Sequence, residues 1–247
     1  MQCLVLAGGL GTRMQHLSQG KPKALLPCGD QTFIEFQLRW LRLLGVSHAI
    51  LCLGFKSEEI ESQIQNSRFK DLFPKISYSY DGKELVGTGG AIVKAKDLLD
   101  ENFFVTYGDT VLFLDLHKMH HKHVDSQKAM TMALLKNKNV GDKSNAKLTP
   151  NGPYYDKIHP DPEMEYIDYG ILELNRDKFI KVSPDGKFDL AQTMNQFCKE
   201  QNSEAYIVSE IFQEIGSPAG YERFENFLKQ FNGDLEKIYQ LKVAKLS

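Results

Sequence analysis

The chain has 247 residues, 42% hydrophobic and 25% charged, the composition of an ordinary soluble globular protein long enough for one large core. A formal charge of -2 gives no electrostatic reason for nucleic acid or an anionic membrane as a partner. No apolar run approaches the roughly 20 residues needed to cross a bilayer.

The opening stretch, Met1 to Gly9, lacks the basic region and long apolar segment of a signal peptide, so a cytoplasmic protein is expected. It reads instead as a buried first strand from Cys3 to Ala7, closed by glycines. Phe33 to Leu44 carries its apolar residues at helical spacing and stops at Gly45. Ala49 to Leu53 is a second buried run, and Ser57 to Asn66 a short amphipathic helix capped by Ser57. Ile76 to Tyr80 alternates like a strand, Gly90 to Leu99 is helical, and Phe103 to Tyr107 is a strand ending at Gly108-Asp109. Beyond about residue 110 the pattern loosens: helix from His117 to Val124, strand from Met130 to Leu135, then polar, turn-rich sequence from Asn137 to Pro153. A strand from Glu165 to Leu174, a helix from Leu190 to Lys199, a last strand near Tyr206 to Ile215 and a helix from Ala219 to Phe231 complete the chain. The alternation of strand and helix predicts a largely parallel sheet with helices on both faces. Cys3, Cys28, Cys52 and Cys198 show no CxxC spacing; they read as reduced thiols, Cys3 and Cys52 as core residues.

The strongest local signal is Leu6-Ala7-Gly8-Gly9-Leu10-Gly11-Thr12-Arg13-Met14, followed by Lys21-Pro22-Lys23-Ala24-Leu25-Leu26-Pro27. Glycines after a buried strand let backbone N–H groups approach a phosphate closely. Arg13 offers a guanidinium fork, and Lys23 a second charge from a segment stiffened by two prolines. A P-loop would need Lys-Ser or Lys-Thr after the last glycine, and the dinucleotide fingerprint a glycine or alanine at Met14. Neither is present.

The first quarter resembles the sugar-phosphate nucleotidyltransferase family, whose two-part signature stands here as LAGGLGTRM and KPKALLP, with Ala24 in place of the commoner proline. The resemblance extends through Val86-Gly87-Thr88-Gly89-Gly90-Ala91, Tyr107-Gly108-Asp109, and Glu214-Ile215-Gly216-Ser217-Pro218. It implies a three-layer α/β/α sandwich with a mainly parallel, Rossmann-like sheet and a small sugar-facing subdomain. It implies one domain over 1–247: a nucleotide-binding part to about 110, a sugar-binding part over about 111–218, and a C-terminal helical segment from about 219. The implied reaction joins a nucleoside triphosphate to a sugar 1-phosphate and releases pyrophosphate, with Mg²⁺ as cofactor. Arg13 and Lys23 are the implied catalytic groups. Leu6, Ala7, Gly8, Gly9, Gly11, Thr12, Gly87, Thr88 and Gly108 are the implied nucleotide contacts. Asp109 and Glu214 are the implied metal ligands; read from the residues alone, Asp109 equally suits a helix cap and Glu214 a surface turn. Tyr155-Asp156-Lys157 resembles the family's E-K element, so Asp156, Lys157 and Gly170 are the implied sugar-phosphate contacts. Asp168 and Tyr169 stand ready for sugar hydroxyls, Tyr169 equally for packing. The YDK, IDYG and EIGSPAGY stretches look most similar to heptose- or mannose-1-phosphate guanylyltransferases, which suggests GTP and a polysaccharide precursor. Uridylyl-, thymidylyl- and cytidylyltransferases share every motif, and a homo-oligomer is compatible with them.

Two other classes fit the sequence less well. A non-catalytic nucleotide-sugar sensor would tolerate loss of Lys23 or Asp109, and both are present. A nicotinamide-dependent oxidoreductase lacks its fingerprint here. His117, His120, His121 and His123 have no supporting metal motif and read as a solvated helix face, and the aromatic positions from Tyr221 to Phe231 read as core.

Overall fold

A computed structural model describes residues 1–9, 11–82, 84–137 and 143–246. Strand β1 (Gln2–Leu6) is followed by a 3₁₀ turn, Thr12–Met14, and the short helix α1 (Gln15–Ser18). A small ribbon, β2 (Pro27–Cys28) with β3 (Gln31–Thr32), leads into α2 (Phe33–Leu43). A capping box, with Thr32 N–H donating to Glu35 Oε2 at 2.7 Å, starts α2. Then come β4 (His48–Leu53), α3 (Ser57–Gln65), β5 (Lys75–Tyr80), α4 (Gly87–Lys94), β6 (Asn102–Tyr107), β7 (Thr110–Val111) and α5 (Leu116–Ser126). The second half holds β8 (Met130–Lys136), β9 (Ala146–Thr149), β10 (Gly152–Tyr155), β11 (Tyr166–Asn175), α6 (Arg176–Val182), α7 (Leu190–Lys199) and β12 (Ser203–Val208). The chain closes with β13 (Gln213–Glu214), α8 (Pro218–Gln230) and α9 (Leu235–Lys242).

β5, β4, β1 and β6 form a parallel block in that spatial order. β11 joins β6 antiparallel, β8 joins β11 antiparallel, and β12 joins β8 parallel, so β11 alone reverses direction along this path. β1, β4 and β6 are buried on both faces, which is why they read as apolar runs, whereas the edge strand β5 is half-exposed and alternates. Cys3 and Val5 of β1 pack with Ala49 and Leu51 of β4 beneath α2, α3, α5, α8 and α9; Leu4, Ile50 and Cys52 face α4, α6 and α7. Helices on both faces of a mainly parallel sheet make the predicted three-layer sandwich.

Several local expectations change. α3 starts at Ser57, but its cap position is Lys56, in left-handed backbone with no side-chain cap bond. The helix expected over 90–99 begins earlier, at Gly87, and gives way after Lys94 to a 3₁₀ turn, Lys96–Leu98. The last strand breaks into β12 and β13, because Glu214 pairs with Thr110 in a separate ribbon. The turn-rich stretch contains the β9–β10 hairpin, though its residues 138–142 lie outside the described ones. The histidine face is solvated only in part. His123 is fully buried, with Nδ1 2.9 Å from Thr131 Oγ1 and Nε2 3.2 Å from Asn102 Oδ1, and burial lowers its pKa to about 4. Its neighbour His120 meets the buried Glu173 at 2.6 Å. The aromatic C-terminal helix is core as expected: Phe224 meets Phe33 and Phe36 edge-to-face.

Candidate active site

The site lies at the C-terminal ends of β1, β4 and β6. Gly108 N–H donates to Leu6 O at 2.9 Å, tying the loop leaving β6 to the end of β1, and Ala7 N–H donates to Cys52 O at 3.0 Å, tying the loop leaving β1 to β4. A Cβ on Gly108 would stand 2.8 Å from Ala7 Cβ, a separation that only glycine tolerates. This close crossing sets Asp109 beside the glycine-rich loop. From the far side of the sheet, the Gln37 amide donates to Tyr107 O at 2.7 Å and Thr110 O at 2.8 Å, fixing the backbone on both sides of Asp109.

Lys23 Nζ lies 2.5 Å from Asp109 Oδ2, a pair whose side chains are only about one-fifth exposed. The Gly11 backbone rests against the Lys23 stem, with a would-be Cβ at 3.5 Å from Lys23 Cβ. The two halves of the signature therefore meet in space. The β7–β13 ribbon brings in Glu214, and Ile215 N–H donates to Asp109 O at 2.9 Å. The position a Cβ would take on Gly216 is 2.9 Å from Asp109 Oδ2, 3.2 Å from Glu214 Oε2 and 3.5 Å from Arg13 Nη2. Two carboxylates, the exposed Arg13 and Lys23 thus converge on one small volume.

The two carboxylates are not equivalent. Among the described residues Asp109 Oδ1 takes one bond, from Thr110 Oγ1 at 3.1 Å, and its Oδ2 holds only Lys23. Glu214 accepts from Gly216 N at 2.5 Å, Ser217 N at 3.1 Å, Ser217 Oγ at 2.8 Å and Arg223 Nη2 at 3.1 Å. Its oxygens already fasten the turn that opens α8. Among the described residues no group of three or more His, Cys, Asp or Glu is arranged to hold a metal. An oxygen-seeking cation at Asp109 would complete its shell with water and substrate phosphate, which is the usual habit of Mg²⁺.

Lys23 and Asp109 also line a cavity of about 210 Å³, together with Leu6, Gly8, Gly9, Cys52, Asp81, Leu85, Gly87, Thr88, Ala91 and Tyr107. Leu6, Gly8, Gly9, Gly87 and Thr88 are where the motif readings put nucleotide contacts. Leu10, inside the expected backbone cradle, lies outside the described residues. Ala7, Gly11, Thr12 and Gly108 do not line the cavity. Ala7 and Gly108 shape it from behind, Gly11 supports Lys23, and the exposed Thr12 begins the turn that carries Arg13. The Thr88 hydroxyl is engaged elsewhere: it accepts from Leu190 N at 2.8 Å and meets Asp189 at 3.2 Å, joining the starts of α4 and α7.

Asp81, which the motif reading passed over, is a buried carboxylate in the cavity wall. Burial raises its pKa, against the pull of the Val86 N–H and Lys94. The signal was one acidic residue ending an alternating strand, too common a pattern to single out.

Toward the second half of the sheet stand β10 and β11. Gly170 has φ +87 and sits at a β-bulge in β11, next to Tyr107 and Thr110. Asp156 Oδ1 accepts from Ile158 N and His159 N, both at 2.9 Å, and those bonds hold its carboxyl below the usual carboxylate range. Lys157 is exposed. Tyr169 is core: its hydroxyl accepts from Phe113 N at 3.1 Å and its ring meets Phe212 edge-to-face.

Residues 2–145 match the model of the nucleotidyl transferase family. The chain belongs to that family. It is 32% identical over 231 residues to the D-glycero-alpha-D-manno-heptose 1-phosphate guanylyltransferase of Campylobacter jejuni, covering 91% of this chain and 98% of that one. It is 28% identical to the Aneurinibacillus thermoaerophilus protein of the same name, covering 94% of this chain and all of that one. HddC from Yersinia pseudotuberculosis, also solved complexed with GMP-PN, shares the fold at a TM-score of 0.75 and 24% identity, over 92% of this chain and 99% of that one. This nucleotidyl transferase is therefore an enzyme of sugar nucleotide synthesis, a sugar-1-phosphate nucleotidyltransferase. No described helix is long and apolar enough to cross a membrane.

Proposed function

We propose that the enzyme transfers GMP from GTP to a heptose or mannose 1-phosphate, with Mg²⁺, giving a GDP-sugar for surface polysaccharide synthesis in the cytoplasm. The observation that carries this reading is the cavity itself, whose lining joins Lys23 and Asp109 with one further buried carboxylate, Asp81. Guanine presents two adjacent donors, N1–H and the 2-amino group, to the two oxygens of a carboxylate. Uracil and thymine flank their single N–H with acceptors, and adenine and cytosine place an acceptor beside the amino group. Asp81 suits guanine alone among these edges.

In this reading the sugar-phosphate oxygen attacks the α-phosphorus, the bond from that phosphorus to the bridging oxygen breaks, and pyrophosphate leaves with the electron pair. Backbone N–H groups over Gly8–Thr12 cradle the triphosphate. Arg13 meets the β- and γ-phosphates, and Lys23 leaves Asp109 to follow the charge between the two α-phosphate ligands. Asp109 would hold Mg²⁺ directly, with Glu214 meeting it through water. The cation would supply Lewis acidity and a template for the phosphates. Asp156, Lys157 and Gly170 lie on the sugar side, in the part we assign to about 111–218.

The test is pyrophosphate release with GTP, CTP, UTP, dTTP and ATP against mannose, heptose, glucose and glucosamine 1-phosphates, with and without chelator. GTP should be preferred, and chelation should abolish turnover. Asp81→Asn should cut kcat/KM for GTP roughly 10- to 100-fold, since one well-placed bidentate contact is worth ~1–3 kcal/mol. A wild-type preference for UTP or dTTP would overturn the assignment of the base.

A further inference from the structure

The stretch Val86-Gly87-Thr88-Gly89-Gly90-Ala91 opens α4, and its resemblance makes Gly87 and Thr88 nucleotide contacts. Gly87, Thr88 and Ala91 line the cavity. Gly89 and Gly90 are buried and lie outside its lining, so a ligand does not account for their missing side chains. A strap from the second half of the chain does: residues 183–189, between α6 and α7. A Cβ on Gly89 would lie 2.1 Å from Phe188 Cε2 and 2.6 Å from Phe188 Cζ, within the volume of the ring. A Cβ on Gly87 would lie 2.4 Å from Phe188 O, and one on Gly90 2.8 Å from Gly186 O. All are far shorter than a relaxed non-bonded contact, so each glycine leaves room for the strap.

Backbone bonds run both ways between the two segments. Phe188 N–H donates to Val86 O at 3.2 Å, and Gly89 N–H donates to Phe188 O at 3.1 Å. The second of these satisfies a donor that the first turn of α4 leaves open. Leu190 N–H donates to Thr88 Oγ1 at 2.8 Å and carries the tie into α7. Within the strap Asp185, Gly186, Lys187 and Asp189 are exposed, whereas Phe188 is only 5% exposed. It belongs to one apolar cluster with Ala91 and Leu190, against which Val86 packs. An aromatic buried among exposed neighbours is the anchor of its segment.

We propose that Phe188 is the positioning residue of the nucleobase loop: its ring, seated on Gly89, holds Gly87 and Thr88 at the cavity wall in the conformation that receives the nucleoside triphosphate. Phe188 acts through the loop and does not touch the substrate. The inference rests on the nucleotide reading of this cavity and is independent of which base is preferred. It gives Gly89 and Gly90 a task, close packing under the strap, that contact with a nucleotide does not require.

The experiment measures calorimetric binding of a non-hydrolysable analogue of the preferred triphosphate, with KM and kcat, for Phe188→Ala, Phe188→Leu, Gly89→Ala and the double variant Gly89→Ala/Phe188→Ala, well below their melting temperatures. Phe188→Ala leaves the loop unheld. With the receptive conformation then occupied about one-tenth of the time, triphosphate affinity falls roughly tenfold. KM for the triphosphate should rise by a similar factor while kcat stays within about twofold, because Lys23 and Asp109 are untouched. Phe188→Leu, which keeps an apolar contact, should lose less. Gly89 lies within α4 without a positive φ, so alanine there meets the ring and no backbone strain; Gly89→Ala should also weaken binding. In the double variant the new methyl enters the space the ring vacates, and affinity should recover to within a few-fold of wild type. Two unrelated losses would instead multiply. Wild-type triphosphate affinity in Phe188→Ala, or a double variant weaker than both singles, would overturn the role of Phe188. Should Phe188→Ala fail to fold, Phe188→Leu and Gly89→Ala decide the matter, since both must weaken triphosphate binding with kcat held. If wild type binds none of GTP, CTP, UTP, dTTP and ATP, the nucleotide reading falls and the inference with it.

Discussion

Replacing Gly108 by alanine tests whether the crossing of the β1 and β6 loops is what builds the site. The new Cβ would lie 2.8 Å from Ala7 Cβ, 2.9 Å from Ala7 Cα and 3.1 Å from Leu6 O. Non-bonded carbons settle at about 3.5–4.0 Å, so one loop must retreat by roughly 1 Å. Both contacts on Ala7 are backbone or the first side-chain atom, and no rotamer relieves them. The retreat also stretches the Gly108 N–H to Leu6 O bond of 2.9 Å. Overpacking of this kind costs ~1–3 kcal/mol. For a chain of this size that corresponds to a fall in Tm of about 2–10 °C. Activity should suffer more, since displacement of Asp109 from the glycine loop by ~1 Å costs on the order of 100-fold in turnover. Thermal unfolding followed by circular dichroism and pyrophosphate release at saturating substrates give the two numbers. Wild-type Tm and turnover in Gly108→Ala would refute the claim that this contact positions the carboxylate.

Lys23→Ala should separate catalysis from stability: turnover should drop ~100- to 1000-fold, as for loss of a preorganised transition-state contact. The partly exposed pair with Asp109 contributes only ~0–1 kcal/mol, so chemical denaturation should shift little. Glu214→Gln places an amide where four donors converge, which should cost ~1–3 kcal/mol in urea unfolding. The Mg²⁺ midpoint for activity should move only a few-fold under the proposed arrangement, in which Glu214 would meet the cation through water. His123 has its pKa lowered from 6.5 to about 4 by burial, so the unfolded chain binds the extra proton first as pH falls. Stability from this group is fully present above pH 6.5 and is lost toward pH 4, by ~2–3 kcal/mol in total. His123→Gln should flatten that limb of the stability–pH profile; an unchanged slope would count against a buried neutral imidazole.

Much of the architecture could be read because burial on both faces leaves an unmistakable trace. Cys3–Ala7 and Ala49–Leu53 have no polar interruption and Phe103–Tyr107 only the buried Thr106, and these runs are the centre of the sheet. The errors fall where tertiary contact decides. Val208 pairs with Leu135, whereas Glu214, six residues on, pairs with Thr110 in another ribbon, and local pattern carries no sign of the break. The four histidines look alike in sequence. Only their phase on α5 relative to Thr131 and Asn102 makes His123 a core residue and leaves its neighbours at the surface.

The site divides along the same physical line. Its phosphate end was legible because a tight loop, two cations and a strand-end carboxylate need particular residue types at short spacing, and LAGGLGTRM, KPKALLP and YGD supply them within contiguous stretches. The ends we assign to the base and the sugar would need only one acceptor each, on scaffolds already fixed by other demands. A single aspartate satisfies that need, and aspartate also ends strands, caps helices and closes turns. Asp81, Asp156 and Asp168 are therefore indistinguishable as letters. What separates them is how far the neighbouring backbone consumes the carboxylate: Asp156 spends Oδ1 on two N–H groups of its own turn, while Asp168 Oδ1 accepts from the Gly170 N–H alone among the described residues. Which acceptors remain open is thus a property of the folded loop rather than of the residue type.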